Sequence, residues 1–413
     1  MKIAIYTLTS PLHDKMAVEG MTQQFLKSLG IEYELMCNNF TQYGQNDLDL
    51  IYVRTGGTEG IMKKLLPQLR RQSELPIRLL TSGKSNSLAA SIEILSYLRL
   101  HGISGEIIHG STDYIKQRIE MLARVGESIR RLRGQRLGII GRPSDWLISS
   151  EADATKVKTR MGVELVEIPM QDLINSIEIS PMGPISPIGP IGPIGFIGNI
   201  NSIEETAIRE SLPIAKKIYE ALKNIVEQYK LQGFTLRCFD LLTAVHNTGC
   251  LALAKLNTEG KVAGCEGDVP TMLSMAVVRS LLGVSGFQAN PSSIDPETGE
   301  MVFAHCTIPF DMVERWEMDT HFESGIGIGI RGYMKEGDVT IFKLSGDLSR
   351  MFVAEGQLIR NESKTDLCRT QQVILLADKT QAQYFLTNPI GNHHVIMPGH
   401  QAAILKELVS TYL

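Results

Sequence analysis

The sequence predicts an α/β protein with two open parallel-sheet units followed by a C-terminal antiparallel β-domain. In residues 1–133, short apolar runs alternate with amphipathic helical patterns, which is typical of a parallel sheet flanked by helices. The alternation resumes at residue 134. Beyond residue 320, strand patterns follow one another across Gly-Asp, Glu-Gly and Asn-Glu turns, which predicts an antiparallel meander. We therefore expect domains at residues 1–133, 134–320 and 321–413.

The first unit begins with a strand and has a Rossmann-like order of elements. Buried strands are predicted at residues 3–8, 32–36 and 48–54, and amphipathic helices at residues 15–29 and 60–70. The third strand leads into residues 55–59, TGGTE, and a later strand leads into residues 82–87, SGKSNS. Ligands of such sheets bind beyond the carboxyl ends of the strands. These loops are therefore either contacts to a sugar or phosphate, or ordinary turns and helix caps.

The second unit is predicted to contain strands at residues 136–140 and 163–168, a helix at 153–161 and a long helix at 204–232. Trp146 follows the first of these strands, where it either stacks on a sugar face or packs in the core or at a domain interface. Residues 181–198 repeat Pro-Ile-Gly, and this density of proline and glycine predicts an extended surface loop or an insertion. We expect this loop to have no function or to touch a neighbouring subunit.

The composition argues against several classes of partner. The 413 residues include 41 basic and 45 acidic ones, without a basic stripe for nucleic acid or a polybasic patch for a membrane. No apolar run reaches the length of a membrane helix. Six cysteines without a CxxC spacing favour reduced thiols over disulfides or a zinc site. We therefore expect a soluble, cytoplasmic protein that binds neither nucleic acid nor a membrane.

Residues 262–270, VAGCEGDVP, form the motif around which the other candidate residues are arranged. Glu266 and Asp268 lie between an apolar run and the helical pattern of residues 271–282. Two carboxylates at this position are unfavourable unless a cation, a proton or a substrate hydroxyl compensates them. The alternative is a helix N-terminus that Asp268 caps, with Pro270 in its first turn.

Further polar groups follow short apolar runs, where a βα layout gathers ligands from distant segments at one rim. They are Arg237, Asn247, Asn290 and His305, then His321 and Glu323, and finally Asn392, His393 and His394. The glycine-alternating residues 325–330 predict a strand. Residues 339–344, 351–358 and 372–376 predict the meander, and residues 401–412 predict a closing helix.

The order AGCEGD, FQAN, FAHC and GNHH resembles the C-terminal half of the L-fucose isomerase and L-arabinose isomerase superfamily. The resemblance covers most of the chain. It implies a manganese-dependent aldose–ketose isomerase that assembles as a homotrimer or homohexamer with sites shared between subunits. On the matching positions it implies that Glu266 is the first metal ligand, His305 a site histidine, and His394 or its neighbour His393 the late ligand. Where the family has a second acidic ligand, this chain has Ala289 and Asn290.

That difference affects the chemistry the site can perform. Isomerisation through an enediol needs a base that moves a proton between adjacent carbons and a Lewis acid that polarises the two oxygens. An asparagine ligates a metal through its amide oxygen, but it takes up no proton and removes one negative charge. Asp268, Glu323 or a histidine is then the candidate base.

The predicted function is a divalent-metal-dependent aldose–ketose isomerase that acts through an enediol on an open-chain sugar or an anionic sugar derivative. The alternative is a non-catalytic carbohydrate-binding or regulatory protein on the same scaffold. The arginines of the site either clamp an anionic group of the substrate or form ordinary ion pairs. The predicted residues are Glu266, Asp268 and Glu323 for catalysis; Arg237, Arg369, Asn247, His321 and Asn392 for substrate binding; and Glu266, Asn290, His305 and His394 for Mn²⁺ or Mg²⁺.

Overall fold

A computed structural model describes residues 1–179 and 205–413, so the predicted Pro-Ile-Gly loop lies outside the described residues. The chain forms two compact units. The first comprises Met1–Arg130 and Glu407–Tyr412, and the second comprises Arg131–Lys406 with Leu413. Within the described ranges, no helix is both long and apolar enough to cross a membrane.

The first unit contains a five-stranded sheet in the order β2-β1-β3-β4-β5, and every pairing in it is parallel. The strands are β1 (Ile3–Leu8), β2 (Glu34–Cys37), β3 (Leu48–Val53), β4 (Ile77–Leu80) and β5 (Gly105–Ile108). The helices are α1 (Lys15–Leu29), α2 (Glu59–Gln72), α3 (Ser87–Leu100) and α4 (Thr112–Leu132). Every residue of β1 and β4 is buried, as expected of strands covered on both faces. The predicted parallel α/β unit is confirmed.

The C-terminal residues of the chain join this first unit through partly buried charges. Arg78, on β4, contacts Glu106 at 3.0 Å and Glu407 at 2.7 Å, and Arg118 contacts the same two carboxylates at 2.7 Å each. Two guanidinium groups thus share two carboxylates, and each charge is compensated by two partners.

The second unit begins with another parallel sheet, in the order β7-β6-β8-β9. Its strands are β6 (Arg136–Ile140), β7 (Glu164–Ile168), β8 (Gly233–Leu236) and β9 (Val262–Cys265). The helices of this part are α5 (Ala154–Lys156), which continues into a π-helical turn at Val157–Met161, then α6 (Met170–Ile179), α7 (Glu205–Gln228), α8 (Asp240–Ala244), α9 (Cys250–Thr258) and α10 (Val269–Leu282). Helix α10 packs on β9 and also on strands of the β-barrel that follows in the chain. It therefore connects the parallel sheet to the barrel.

A closed antiparallel barrel follows, and it confirms the predicted C-terminal β-domain. The remaining strands are β10 (Phe287–Ile294), β11 (Glu300–His305), β12 (Arg315–Asp319), β13 (Gly329–Tyr333), β14 (Gly337–Leu344), β15 (Met351–Glu362), β16 (Thr370–Leu376) and β17 (His394–Pro398), and the last helices are α11 (Ala382–Thr387) and α12 (Ala402–Tyr412). The barrel order is β10-β11-β16-β15-β14-β17, and pairing of β10 with β17 closes it. Its core includes Phe287, Phe303, Ile341 and Ile374.

Two details differ from the expected pattern. Residues 325–328 of the glycine-alternating segment are not a strand, because Gly325 and Gly327 have left-handed φ values of +65° and +67°, and β13 begins only at Gly329. The βα layout expected around Asn290 and His305 is also wrong, since both lie on neighbouring antiparallel barrel strands. The division at residues 133/134 and 320/321 stays a prediction, and two barrel strands precede residue 321.

Gly126, inside α4, provides a test of packing in the first unit. A Cβ on Gly126 would lie 1.8 Å from the backbone oxygen of Asp47, whereas a Cβ on the exposed helical residue Gly20 meets nothing within 4 Å. We expect Gly126→Ala to lower the free energy of unfolding by about 1–3 kcal/mol through overpacking. Gly20→Ala should raise it by about 0.5–1 kcal/mol through helix propensity. Guanidinium denaturation of both variants checks this, and a fully stable Gly126→Ala protein would contradict the close helix–loop contact.

Candidate active site

The candidate site is built on a tight turn between β9 and α10. Glu266 and Gly267 both have left-handed backbones, with φ of +62° and +73°. A Cβ on Gly267 would lie 2.4 Å from the backbone oxygen of Arg142, so this position requires glycine. The backbone oxygen of Glu266 accepts a hydrogen bond from the Ser144 amide at 2.9 Å. The turn after β9 is therefore fixed against the loop after β6.

Three side chains from different strands converge at this turn. Glu266, His305 and His393 are buried, and one donor atom from each lies within 4.8 Å of the other two. The Oε1 atom of Glu266 is 3.5 Å from Nε2 of His305 and 3.4 Å from Nε2 of His393. His305 ends β11 and His393 directly precedes β17. The parallel sheet thus supplies the carboxylate, and the barrel supplies both imidazoles.

The charges of this cluster stabilise one another. Burial raises the pKa of the Glu266 carboxyl, but the charge of His393 and hydrogen bonding by both histidines outweigh it and lower that pKa well below its usual range. Burial lowers the pKa of His393, but Glu266 and Asp268 raise it to about 9. The pKa of His305 is lowered by its burial, despite the opposing effect of Glu266. Glu266 is therefore ionised at neutral pH.

The three residues fit a divalent cation. Among the described residues, the buried Nε2 atom of His393 makes no hydrogen bond of good geometry, and its nearest carboxylate oxygen is Oε1 of Glu266 at 3.4 Å. One carboxylate oxygen and two imidazole nitrogens are ordinary ligands of first-row divalent ions. Ligands bound at about 2.0–2.2 Å to one ion lie about 3.0–3.5 Å from each other, and the two distances from Glu266 to the histidines, 3.5 Å and 3.4 Å, are of this size. The donor set is compatible with several metals.

The structure places His393, and not the predicted His394, in this cluster. The Nε2 atom of His394 lies 3.0 Å from the Tyr384 hydroxyl, and its Nδ1 lies 3.0 Å from the backbone oxygen of Asn392. Phe352 and Phe385 pack around the same ring. Because successive residues of an extended segment point to opposite sides, only one of the two histidines can face Glu266.

Asp268 is a buried connector and does not form an open catalytic group. It caps α10 by accepting from the Thr271 amide at 2.8 Å, as the helix-cap alternative predicted. Its other oxygen accepts from Nδ1 of His393 at 2.9 Å, and Lys343 lies at 3.4 Å. Burial raises the pKa of Asp268, but the charge of Lys343 and the bond from His393 outweigh it and lower that pKa well below its usual range. A carboxylate with these partners has no access to a substrate proton.

Lys343 is a buried partner of Asp268 that was not among the predicted site residues. It lies on β14 in the pattern VTIFKL, at the same alternation as the core residues Val339 and Ile341. One signal in the sequence could have identified it: a lysine stands at a position where the strand pattern requires an apolar side chain. Such a residue indicates a buried acidic partner, because an unpaired buried ammonium is strongly unfavourable.

Aromatic side chains border the cluster. The indole Nε1–H of Trp146 donates to Oε2 of Glu266 at 2.7 Å, while 52% of the residue remains exposed. Phe239 packs edge-on against Trp146, and His321 packs edge-on against Phe239. Burial lowers the pKa of His321 to about 4, so this ring is neutral at pH 7. Trp146, for which the sequence left sugar stacking or packing open, thus lies directly beside the carboxylate.

Glu323 is an exposed carboxylate at the edge of this region. Partial burial of its carboxyl group and the nearby charge of Glu266 raise its pKa above the usual value. A carboxyl group with a raised pKa accepts and returns protons more readily at neutral pH. Glu323 therefore combines accessibility with an adjusted pKa, and Asp268 lacks this combination.

The two predicted anion-binding arginines have partners inside the protein. Arg237 contacts Asp145 at 2.8 Å and Asp240 at 2.9 Å, and it donates to the backbone oxygen of Pro143. Arg369 donates to the backbone oxygen of Thr320 at 2.7 Å and lies 3.4 Å from Asp319. These contacts correspond to the ion-pair alternative for both residues, and they hold the loops that carry Trp146 and His321.

The predicted asparagines occupy two different environments. Asn247 is fully buried, donates to the backbone oxygen of Ser211 at 2.9 Å and accepts from the Thr248 amide at 2.8 Å, which is a structural role. Asn392 donates to Oδ1 of Asn290 at 3.0 Å. This contact orients the Asn290 amide beside His393 and His394. The role of Asn290 as a metal ligand stays a prediction.

Comparisons with known proteins point to one enzyme name. No family model matches the chain. Sulfoquinovose isomerases of Priestia aryabhattai and Priestia megaterium are each 23% identical over 296 residues, which cover 66% of this chain and 62% of each relative. The sulfoquinovose isomerase of Alkalicoccus urumqiensis is 20% identical over 293 residues, with 66% and 63% covered. The chain thus matches less than two thirds of the length of these relatives. Membership of the L-fucose and L-arabinose isomerase superfamily stays a prediction.

Trp146 provides an optical test of the cluster. Because its indole donates directly to Glu266, a cation that binds Glu266 should change the fluorescence of Trp146. The other tryptophan, Trp316, packs on Phe310 in a different part of the second unit. We expect a Mg²⁺ titration to change the emission of the wild type and of Trp316→Phe, and to leave that of Trp146→Phe unchanged. A response that disappears only in Trp316→Phe would place the cation elsewhere.

Proposed function

We propose that this protein is a divalent-metal-dependent aldose–ketose isomerase acting on an open-chain anionic sugar. The observation that carries the proposal is the convergence of Glu266, His305 and the unpartnered Nε2 of His393 on one point. The similarity to relatives named for isomerisation of sulfoquinovose, an anionic sugar, supports the reaction class and the charge of the substrate.

Glu266, His305 and His393 are the residues that would hold the metal, Mn²⁺ or Mg²⁺ in this proposal. A divalent ion supplies a Lewis acid that polarises the carbonyl and hydroxyl oxygens of a sugar. The protein keeps Glu266 ionised through the two histidines, and it directs Nε2 of His393 inward through the contact of Nδ1 with Asp268. The side chains are thereby oriented before any ligand binds.

Glu323 is the proposed base of the proton transfer. It removes the proton from C2 of the open-chain aldose, which leaves an enediolate with its negative charge on O1. The proton of the O2 hydroxyl passes to O1, and Glu323 then returns its proton to C1, which produces the ketose. The same carboxylate serves in both proton transfers, because the proton that it takes from C2 is the one that it gives to C1. The raised pKa of Glu323 supports this assignment.

Trp146 and Arg142 are the proposed substrate contacts. The exposed part of the Trp146 ring offers an apolar face beside Glu266, where a sugar face can stack. Arg142 lies on the same loop with 73% of its side chain exposed, and its carboxylate partner Asp145 is 3.3 Å away and also exposed. An exposed guanidinium exchanges such a partner readily, so it suits the anionic group of the sugar. We also propose a homotrimer or homohexamer, as the superfamily resemblance implies.

Adjacent histidines allow a matched test of the metal site. His393→Gln should weaken Mn²⁺ binding at least about 100-fold, because it removes a ligand from the cluster. His394→Gln should change the affinity less than threefold, since that ring is held by Tyr384 and Asn392. Glu266→Gln should remove binding almost completely through loss of the anionic ligand. Calorimetric titration of the folded variants measures this, and a stronger effect of His394→Gln than of His393→Gln would be incompatible with the proposed ligand set.

Glu323→Gln tests the assignment of the base. We expect kcat for sulfoquinovose isomerisation with Mn²⁺ to fall about 10²–10⁴-fold with little change in KM, because the amide transfers no proton but keeps the shape of the side chain. The matched control is Glu314→Gln, at an exposed carboxylate before β12. Equal loss in both variants would remove Glu323 from the mechanism. Metal and sugar binding without turnover in the wild type would instead favour the non-catalytic alternative.

A further inference from the structure

The two oxygen atoms of the Glu266 carboxylate have different partners. Oε1 lies 3.5 Å from Nε2 of His305 and 3.4 Å from Nε2 of His393, so it faces the cluster. Oε2 accepts a hydrogen bond from the indole Nε1–H of Trp146 at 2.7 Å. One oxygen is therefore directed at the two histidines, and the other is occupied by a donor from the loop after β6.

The indole does not need this bond to satisfy its own donor. Trp146 is half-exposed, so water could accept a hydrogen bond from its N–H group in place of the carboxylate. A hydrogen bond to a carboxylate is about twice as strong as one between neutral groups, and it fixes the direction of the oxygen atom that accepts it. The bond therefore constrains Glu266 more than it stabilises the tryptophan.

The loop that carries Trp146 is fixed against the turn that carries Glu266. The Ser144 amide donates to the backbone oxygen of Glu266 at 2.9 Å, and the Leu147 amide donates to the backbone oxygen of Ser144 at 2.8 Å, which closes a turn around Trp146. Phe239 packs edge-on against the indole, with the ring centroids 4.7 Å apart. The position of the N–H group is thus set by backbone bonds and a ring contact before any ligand binds.

We infer that Trp146 is a positioning residue of the metal site: its indole holds Oε2 of Glu266, so that only Oε1 ligates the ion. The inference rests on the proposed function for the presence of the ion. A carboxylate binds divalent cations through one oxygen or through both, and Mg²⁺ and Mn²⁺ prefer an octahedral set of ligands. With Oε2 held by the indole, Glu266 takes one position of the ion instead of two. One more position is then left for the substrate.

The two tryptophans of the chain allow a matched test. Trp146→Phe removes the N–H donor and keeps a ring next to Phe239, whereas Trp316→Phe makes the same replacement where the ring packs on Phe310. The first readout is the infrared difference spectrum between Mn²⁺-bound and metal-free protein labelled with ¹³C-glutamate. The two carboxylate stretching bands lie farther apart for ligation through one oxygen than for ligation through both. The bands of Glu266 are those that Glu266→Asp removes from the labelled set. The second readout is Mn²⁺ affinity by calorimetry.

We expect widely spaced Glu266 bands in the wild type and in Trp316→Phe, and more closely spaced bands in Trp146→Phe, because Oε2 is then free to approach the ion. Mn²⁺ affinity should fall about 10–100-fold in Trp146→Phe, because Glu266 is no longer oriented before the ion binds, and less than about threefold in Trp316→Phe. Melting curves identify the folded variants, and Trp146→Leu replaces Trp146→Phe if that variant does not fold.

Two results would overturn the inference while the metal function stands. One is an unchanged band spacing in Trp146→Phe, and the other is an equal loss of Mn²⁺ affinity in the two tryptophan variants. A wild type that binds no Mn²⁺ would instead remove the proposed metal function and this inference together.

Discussion

The contact of His393 with both acidic residues of one turn is the constraint on which the second unit depends. Its Nδ1 bonds to Asp268 and its Nε2 faces Glu266, and all three groups are buried. A buried carboxylate without compensation costs several kcal/mol, and this turn contains two of them. The turn comes from the parallel sheet, whereas the compensating histidines and Lys343 come from the barrel. The acidic motif is therefore stable only when the barrel is in place.

This arrangement assigns different tasks to residues of similar chemistry. Glu266 faces the cluster from a strained, left-handed position, while Asp268, two residues later, faces the helix and the barrel. Glu323 lies at the accessible edge and has a raised pKa. In the proposed isomerase, Glu266 would serve as a ligand and Glu323 in proton transfer, while Asp268 connects the helix to the barrel. Burial and partners separate these tasks.

Polar contacts around the cluster mainly set the positions of loops. Arg237 joins Asp145 and Asp240, and Arg369 joins the segment before His321. These ion pairs lie behind the side chains that border the cluster, and they hold Trp146 and His321 in place. A rigid border would suit the proposed isomerase, because a reactive enediol has to be kept from water. The guanidinium groups predicted to bind an anion instead support the loops that carry the contacts.

The α/β layers and the acidic turn follow from the sequence, because hydrophobic periodicity and local turn chemistry act over a few residues. Helix capping by Asp268 follows for the same reason. The grouping of Glu266, His305 and a late histidine into one site was implied by the resemblance of their motifs to the isomerase superfamily. The choice between His393 and His394, the partner of Lys343 and the engagement of Arg237 do not follow. The first two depend on which residues from distant strands share a side of the barrel, and the closure of β10 on β17 contributes to that pairing. The engagement of Arg237 depends on the loops that follow the neighbouring parallel strands β6 and β8. A one-residue change in the strand entry would exchange the two histidines, so local pattern cannot distinguish them.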